Sequence, residues 1–506
     1  MQKGICVALL VAAFLTGWSQ SATPALEQKR ILLDSMITTW YNHGIFNGGV
    51  LIKQNEKLLY QRCAGYANFE KEQPNTSATA FNLASVSKPF TGVAVLQLVN
   101  RKKIKLTDLF VNYFPGFPYR SVTIEQLLSH TSGLPEADQF EKTYIQSHPD
   151  EVLSNQQIYD DLERLKVPSL ADAGQKHFYN NLNYILLGLL VEKVSQTSFQ
   201  SYMKKNIFDK AGMKHSYVRQ RISPNTSRYI RATFYDSIYQ HVDSISNKKI
   251  YTDHSLGGTY GDNNIITTLE DMALFDNALN KGKLLPHALL KQMYKPVMLA
   301  NGNYFFNGGT RTYTLGWNVN EKNAAGQFVA WHDGSLVGLT TMLFKNFTDS
   351  ITYILFENRN YPGFFRRYLA IANVIENNKP AEVSLKKSIV REAYGPVLVT
   401  KGADFALALL NTLKKDTAWY LDVNEMNELG YHLLYKSELG NHKALAVEVF
   451  RINTLLAPEN ANIYDSYAEG LLSLGLKEAA ILTYKKILLL DPKNESAKNK
   501  LDALTK

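Results

Sequence analysis

Phe81-Asn82-Leu83-Ala84-Ser85-Val86-Ser87-Lys88-Pro89-Phe90-Thr91-Gly92 is the most informative segment of this chain, and an apolar run from Val93 to Val99 follows it. The run predicts a buried helix with Ser85 and Lys88 at its start. Because residues i and i+3 lie one turn apart on one helix face, the Lys88 amine can reach the Ser85 hydroxyl. A lysine near the positive end of a helix and screened from water has a lowered pKa, so it can deprotonate a serine nucleophile. Ser85 is therefore the candidate nucleophile.

The Ser-x-x-Lys spacing alone proves little. It recurs at Ser201–Lys204, Ser246–Lys249 and Ser384–Lys387, where we expect only protein surface. Taken by itself, Ser85 is better explained as the cap of a core helix. The nucleophile hypothesis therefore depends on partners elsewhere in the chain.

Length and composition point to a multidomain globular protein. With 506 residues, two or three domains are expected, and 45% apolar with 20% charged residues is an ordinary globular balance. The net charge is +9, but the lysines are scattered and do not alternate with aromatic residues. Nucleic-acid binding is therefore not indicated.

Residues 1–22 have the layout of a secretory signal peptide. Lys3 forms a positive start, Ile5 to Leu15 is apolar, and Ser21-Ala22 offers a cleavage site. The apolar run is too short for a permanent membrane span, although an uncleaved tether is the alternative. We therefore predict a periplasmic or secreted protein with no transmembrane helix in the mature chain. Cys63 is then the sole remaining cysteine, so no intrachain disulfide is possible, and it is expected to be a small buried residue.

Strand signals occur near both ends of the first 378 residues. Gly48 to Ile52 and Leu58 to Cys63 predict a hairpin, and Phe328 to Ser335, Leu339 to Phe344 and Ile351 to Phe356 predict three further strands. The intervening sequence is mainly helical. We therefore expect one antiparallel sheet completed by both ends of the domain, with a helical subdomain inserted between them.

A second chemical cluster, Phe178-Tyr179-Asn180-Asn181, precedes the apolar helix Ile185 to Val191. A tyrosine phenol near a lysine can relay protons, and an asparagine amide can hold a substrate carbonyl. The alternative is that Tyr179 packs in the core beside a helix cap. The glycine-rich turn from Gly257 to Asn263 is interpreted as structural.

Other common catalytic motifs are missing from the sequence. There is no His-Glu-x-x-His, no Gly-x-Ser-x-Gly elbow and no P-loop. His332, which precedes Asp333-Gly334, has no second ligand at metal spacing. We therefore expect no metal and no cofactor.

Five segments in this order resemble the serine β-lactamase and penicillin-binding-protein superfamily, and most closely its class C-like, esterase and D-peptidase branch. They are Ser85-Val86-Ser87-Lys88, Leu127 to Pro135, Tyr179-Asn180-Asn181, Leu315-Gly316-Trp317 and His332-Asp333-Gly334. The resemblance spans roughly residues 25–378. It implies an α+β fold, an antiparallel sheet flanked by helices with an inserted helical subdomain.

The resemblance also implies a mechanism. Ser85 would be acylated with Lys88 as base or proton relay, and Tyr179 would assist proton transfer to the leaving group. Which of Lys88 and Tyr179 is the general base stays open. The backbone N–H groups of Ser85 and Ser335 would form the oxyanion hole.

Substrate contacts are implied for Asn181, His332 and Gly334. His332-Asp333-Gly334 occupies the place of the family's Lys-Thr-Gly-type triplet, and histidine removes a fixed positive charge that would bind a penicillin-like carboxylate. This departure favours an esterase, a D-amino-acid peptidase or an amidase acting on small or peptidoglycan-related substrates. A weak β-lactamase, or a catalytically silent scaffold acting through its C-terminal repeats, are the alternatives.

Beyond residue 378 the sequence becomes consecutively helical. After a linker and helical pair at 379–425, two units at 426–459 and 460–493 align at a spacing of 34 residues, with Pro458 matching Pro492. This period is typical of tetratricopeptide repeats, so an all-α helical-repeat domain is expected at 426–506. It would either bind a protein partner or serve as a stabilising cap.

Overall fold

The structure, a computed structural model, describes residues 24–69, 71–148, 152–219, 258–306, 309–336, 338–359, 361–436 and 440–505. The predicted signal peptide at 1–22 and the Ser246–Lys249 motif lie outside these residues. Within the described ranges, no helix is both long and apolar enough to cross a membrane.

Eleven helices are described in the first part of the chain. They are α1 (Pro24–Asn42), α2 (Ser87–Asn100), α3 (Ile124–Leu128), α4 (Ala137–Ser147), α5 (Asn155–Leu165), α6 (Asn181–Ser195), α7 (Phe199–Met203), α8 (Asp209–Ala211), α9 (Leu269–Asn280), α10 (His287–Met293) and α11 (Phe364–Ile375). Helices α2 and α6 are buried along most of their length because most of their residues are apolar. They form the centre of the helical subdomain.

The strands are β1 (Gly48–Gln54), β2 (Lys57–Ala64), β3 (Tyr66–Asn68), β4 (Gln73–Pro74), β5 (Phe81–Asn82), β6 (Tyr217–Val218), β7 (Ile265–Thr267), β8 (Arg311–Tyr313), β9 (Asn318–Asn320), β10 (Val329–Leu336), β11 (Leu339–Asn346), β12 (Ile351–Glu357), β13 (Lys387–Ser388) and β14 (Trp419–Tyr420). Seven of the described strands form the main antiparallel sheet, in the order β2-β1-β12-β11-β10-β9-β8. The sheet is thus completed by both ends of the domain, as predicted.

Strand β1 shows how the sheet separates two cores. Its side chains alternate between the faces of the sheet, as the period of a strand requires. Val50 and Ile52 pack with Leu33 of α1 and Ile371 of α11, whereas Leu51 joins the core of the helical subdomain. The sheet is therefore covered on both faces.

The C-terminal region is helical, as predicted. It contains α12 (Gly395–Lys401), α13 (Ala403–Leu413), α14 (Val423–Lys436), α15 (His442–Leu456), α16 (Ala461–Ser473), α17 (Lys477–Leu490) and α18 (Glu495–Thr505). Helices α14, α15 and α16 meet at the buried ring of Phe450, because a Cβ added at Gly430 would lie 2.3 Å from that ring and one at Gly470 would lie 2.9 Å from it. Glycine at both positions allows this close packing.

The structure adds elements that the sequence pattern did not predict. Helix α4, the pairing of β3 with β4, and the strands β8 and β9 that extend the sheet are these additions. The four strands have only two or three residues each, too few for a hydrophobic period to show. The Gly257–Asn263 turn is described only from Gly258 onwards.

Candidate active site

Ser85 lies in a 3₁₀ turn, Ala84–Val86, directly before α2. The turn is fixed by two hydrogen bonds: Ala84 N–H donates to Asn82 Oδ1 at 2.8 Å, and Leu83 N–H donates to the Ile265 carbonyl at 2.8 Å. Ala84 has a φ of 47°, in the left-handed region that residues other than glycine seldom adopt. Such strain is held where the surrounding structure enforces it, and it positions the half-buried Ser85 at the start of the helix.

Lys88 is fully buried, and its amine has three acceptors. Nζ lies 2.9 Å from Ser85 Oγ, 2.8 Å from Asn181 Oδ1 and 3.2 Å from the Asp262 carbonyl oxygen. These contacts hold the amine in place beside the serine hydroxyl. The structure thus brings together Ser85, Lys88 and Asn181, which the sequence had placed in one site.

Tyr179 lies beside the same amine. Its ring centroid is 4.9 Å from Lys88 Nζ, and 42% of the residue is exposed. The alternative that Tyr179 packs in the core is therefore wrong. Asn180 caps α6 by accepting from Leu182 N–H, which fixes the backbone between Tyr179 and Asn181.

His332 lies in the interior of strand β10 rather than at a strand end, and it is 2% exposed. Its Nδ1 donates to the Asp333 carbonyl at 2.7 Å, so its Nε2 accepts from the Tyr313 hydroxyl at 3.0 Å. Burial and the nearby charge of Lys88 lower the pKa of His332 to about 3. The ring is therefore neutral at physiological pH.

Gly334 brings β10 against the nucleophile turn. A Cβ at this position would lie 2.3 Å from the Leu83 carbonyl oxygen and 2.9 Å from the Ser85 nitrogen. Any larger residue would separate the strand from Ser85. The next residue, Ser335, is exposed at this junction, where the family resemblance implies the two oxyanion-hole N–H groups.

A cleft of about 360 Å³ opens over these residues. Its lining comprises Ser85, His177, Tyr179, Phe305, Arg311, Thr312, Tyr313, Asn318, His332, Asp333 and Ser335. One wall is aromatic, because the His177 and Phe305 rings stack at 4.3 Å. The other wall is formed by β10 and includes His332, Asp333 and Ser335.

Sequence reasoning missed several residues of the site. His130 is buried, and its Nδ1 lies 3.1 Å from Asn180 N and 3.0 Å from Asn183 Nδ2, so it supports the turn that carries Tyr179. Burial holds the pKa of His130 well below its usual range. Asp262 contacts Lys88 through its backbone carbonyl, and burial raises the pKa of its own carboxyl group. His130 lies in a segment already noted in the sequence, whereas a backbone contact has no sequence signal.

Two of the three other Ser-x-x-Lys motifs can be compared with this site. Ser201–Lys204 and Ser384–Lys387 have exposed serines and lysines, as predicted. Lys204 pairs with the exposed Asp209 instead of a serine. Burial of the lysine thus distinguishes the motif at Ser85 from these two.

The sequence matches a known protein family and several individual proteins. The family model described as Beta-lactamase matches residues 30–376. Penicillin-binding protein 4* of Bacillus subtilis (strain 168) is 31% identical over 340 residues, which cover 66% of this chain and 72% of that protein. The putative penicillin-binding protein PbpX of the same organism is 26% identical, over 54% of this chain and 62% of that protein.

Solved structures agree on the fold. A penicillin binding protein from Bacillus halodurans has a TM-score of 0.56 at 25% identity, over 67% of this chain and 98% of that chain. A D-amino acid amidase from Ochrobactrum anthropi SV3, complexed with L-phenylalanine amide, has a TM-score of 0.55 at 20% identity, over 70% of this chain and 99% of that chain. The second likeness is one of fold alone.

Proposed function

This chain belongs to the beta-lactamase family, and on that premise we propose that it is a serine hydrolase that cleaves an ester or amide through an acyl-enzyme on Ser85. The observation that carries the proposal is the buried Lys88 amine, 2.9 Å from the Ser85 hydroxyl. A serine hydroxyl needs an adjacent base to become nucleophilic, and this amine is in position to accept its proton.

The proposed reaction uses these residues in turn. Ser85 Oγ forms a bond to the substrate carbonyl carbon while its proton moves to Lys88, with the developing oxyanion facing the backbone N–H groups of Ser85 and Ser335. The bond to the leaving group breaks as that proton passes to it by way of Tyr179. Water then attacks the acyl-enzyme, gives its proton to the same base, and releases the acid with Ser85 restored.

The neutral His332 bears on the substrate class. Because both of its ring nitrogens are engaged within the protein, it offers no positive charge to a penicillin-like carboxylate. We therefore favour esterase, D-amino-acid peptidase or amidase activity, including on peptidoglycan-related amides, over efficient β-lactam hydrolysis. The name of the amidase from Ochrobactrum anthropi is in keeping with an amide substrate.

We also propose where the enzyme acts and how its chain is divided into domains. Residues 1–22 would direct export to the periplasm or the outside of the cell, and the catalytic domain would occupy 23–378. The region 379–425 would be a linker with a helical pair. The helices of 426–506 would form tetratricopeptide-like repeats, a proposal supported by the helix pairs α14–α15 and α16–α17 in this region. These repeats would bind a protein partner.

The test is covalent labelling with a fluorophosphonate, followed by intact-mass measurement. We expect one adduct on the wild type and on Ser201→Ala, which alters the exposed copy of the motif, and none on Ser85→Ala. No adduct on the wild type, or an equal adduct on Ser85→Ala, would contradict the enzyme and favour a silent scaffold. A screen of p-nitrophenyl esters, D-amino-acid amides and nitrocefin then ranks the substrate classes.

A further inference from the structure

The charge at the β10 wall of the cleft differs from that expected of the family triplet. The first position holds the neutral His332, whereas the family motif supplies a cation there. The second position holds Asp333, an acidic residue that lines the same cleft as Ser85 and Tyr179. The triplet thus presents a carboxyl group beside the nucleophile and no positive charge.

Asp333 is available to a ligand. Strand β9 pairs with β10 only at Val329, Ala330 and Trp331, so the strand from His332 onwards has an open edge towards the cleft. Among the described residues, no lysine or arginine forms an ion pair with Asp333. Burial raises the pKa of the Asp333 carboxyl group, and a cation bound beside it would favour the ionised form.

Arg311 is the other charged residue of the cleft lining, and it is already engaged elsewhere. Its guanidinium donates to Asn318 Oδ1 at 3.1 Å and lies 5.1 Å from the Trp331 ring centroid. In the register of the sheet Arg311 is opposite Asn320, which is opposite Val329, four residues from Asp333. The charges of Arg311 and Lys88 partly oppose the effect of burial on the Asp333 carboxyl group, but neither side chain forms an ion pair with it among the described residues.

We propose that Asp333 recognises a primary ammonium group next to the scissile bond, so that the enzyme prefers acyl donors with a free amine, namely unprotected amino-acid amides and esters, over their N-acylated forms. In such a substrate the amine is two bonds from the carbonyl carbon attacked by Ser85. Asp333 and Ser335 lie on one face of the strand, at positions i and i+2. The carbonyl at the Ser335 N–H thus places the amine towards Asp333.

The aromatic wall accounts for the rest of such a substrate. The rings of His177, Phe305 and Tyr313 line the cleft, and burial lowers the pKa of His177 to about 4, so this wall is uncharged at neutral pH. An apolar amino-acid side chain fits against it. Amine, side chain and carbonyl would then each contact a different part of the site.

This inference rests on the proposed hydrolase activity, so the experiment reports on the two separately. The p-nitroanilides of D- and L-phenylalanine and their N-acetyl forms are compared at pH 6.5, where an α-amine is protonated. For the wild type we expect kcat/KM at least about tenfold higher for a free amine. Asp333→Asn should lower kcat/KM for that substrate by about 10- to 100-fold, mainly through KM, and change the N-acetyl substrate by less than about threefold.

Asp209→Asn, on the exposed surface, is the matched control and should behave as the wild type. Equal loss on both substrates in Asp333→Asn, or a wild-type preference for the N-acetyl form, would overturn the role of Asp333. Fluorophosphonate labelling of Ser85 in the same samples reports on the hydrolase itself. If labelling succeeds while the amine preference is missing, only the inference about Asp333 fails.

Discussion

The Tyr313 hydroxyl lies 3.0 Å from Nε2 of His332, and it donates to that nitrogen because Nδ1 of the same ring already donates to a backbone carbonyl. Protonation of Nε2 would break this accepted hydrogen bond and place a positive charge in a buried environment near the charge of Lys88. The pair therefore makes His332 a neutral wall of the site rather than a charge.

Acid should destabilise the fold through this histidine. An unfolded histidine has a pKa near 6.5, whereas burial lowers that of folded His332 to about 3. Between these values the unfolded chain binds a proton that the folded chain does not, so stability falls as the pH drops below about 6.5. At pH 5 the loss from His332 is on the order of 2 kcal/mol.

Denaturant midpoints at pH 7 and pH 5 measure this effect. His332→Gln should narrow the difference between the two midpoints, because glutamine does not titrate. His130 and His177 have pKa values lowered in the same direction, so part of the difference should persist. An unchanged difference in His332→Gln would contradict the assigned pKa.

Removing the Lys88 amine should abolish most of the turnover. Lys88→Ala should lower kcat by at least about 100-fold, the low end of the contribution of a general base. Lys204→Ala, in the exposed copy of the motif, should leave kcat unchanged. The assay uses whichever ester or amide is turned over best in the substrate screen. Activity of Lys88→Ala within a few-fold of the wild type would refute the role of Lys88.

Tyr179→Phe removes the hydroxyl group of this residue and keeps its aromatic ring. The ring 4.9 Å from Lys88 Nζ is kept, while the hydroxyl that would relay the proton is lost. We expect kcat to fall by about 10²- to 10⁴-fold without a change in thermal stability. Tyr435→Phe, on an exposed tyrosine of α14, is the control. A full rate with Tyr179→Phe would leave Lys88 as the sole proton carrier.

In the helical region, substitution of Gly430 should be destabilising, whereas substitution of Gly440 should not. Gly430→Ala would place a Cβ 2.3 Å from the buried Phe450 ring, and overpacking of this kind costs about 1–3 kcal/mol. Gly440→Ala meets no atom within 4 Å and should be neutral. Hydrogen exchange of α14 to α16 should accelerate only in Gly430→Ala, with Ser85 labelling retained in both. Equal exchange in the two variants would show that Phe450 moves aside freely.

Features that are encoded by neighbouring residues could be predicted from the sequence. The apolar run from Val93 to Val99 predicted helix α2, whose first turn carries Lys88 and directly follows the turn that carries Ser85. Strand signals near both ends of the first 378 residues indicated the antiparallel sheet. Each of these signals lies within a short run of neighbouring residues.

Features that depend on tertiary contacts were not predictable in this way. The Asp262 carbonyl contacts Lys88 across 174 positions of sequence, and every residue type carries such a carbonyl. The Tyr313 hydroxyl fixes the tautomer of His332, which nothing in either neighbouring sequence indicates. The charge state of His332 and the openness of Asp333 therefore became visible only in the fold.

Strand β1 lies between β2 and β12, and this has a consequence for biosynthesis. The nucleophile helix leaves the ribosome early. Strand β12, which pairs with β1 and completes the main sheet, ends only at Glu357, 272 positions after Ser85. At about 5–20 residues per second, synthesis of that interval takes roughly 15 to 50 s. During that time β1 has an unpaired edge and Ser85 lacks the β10 wall, so the nascent chain is inactive and open to wrong strand pairing. A premature stop before β12 would yield an aggregation-prone fragment rather than a smaller hydrolase.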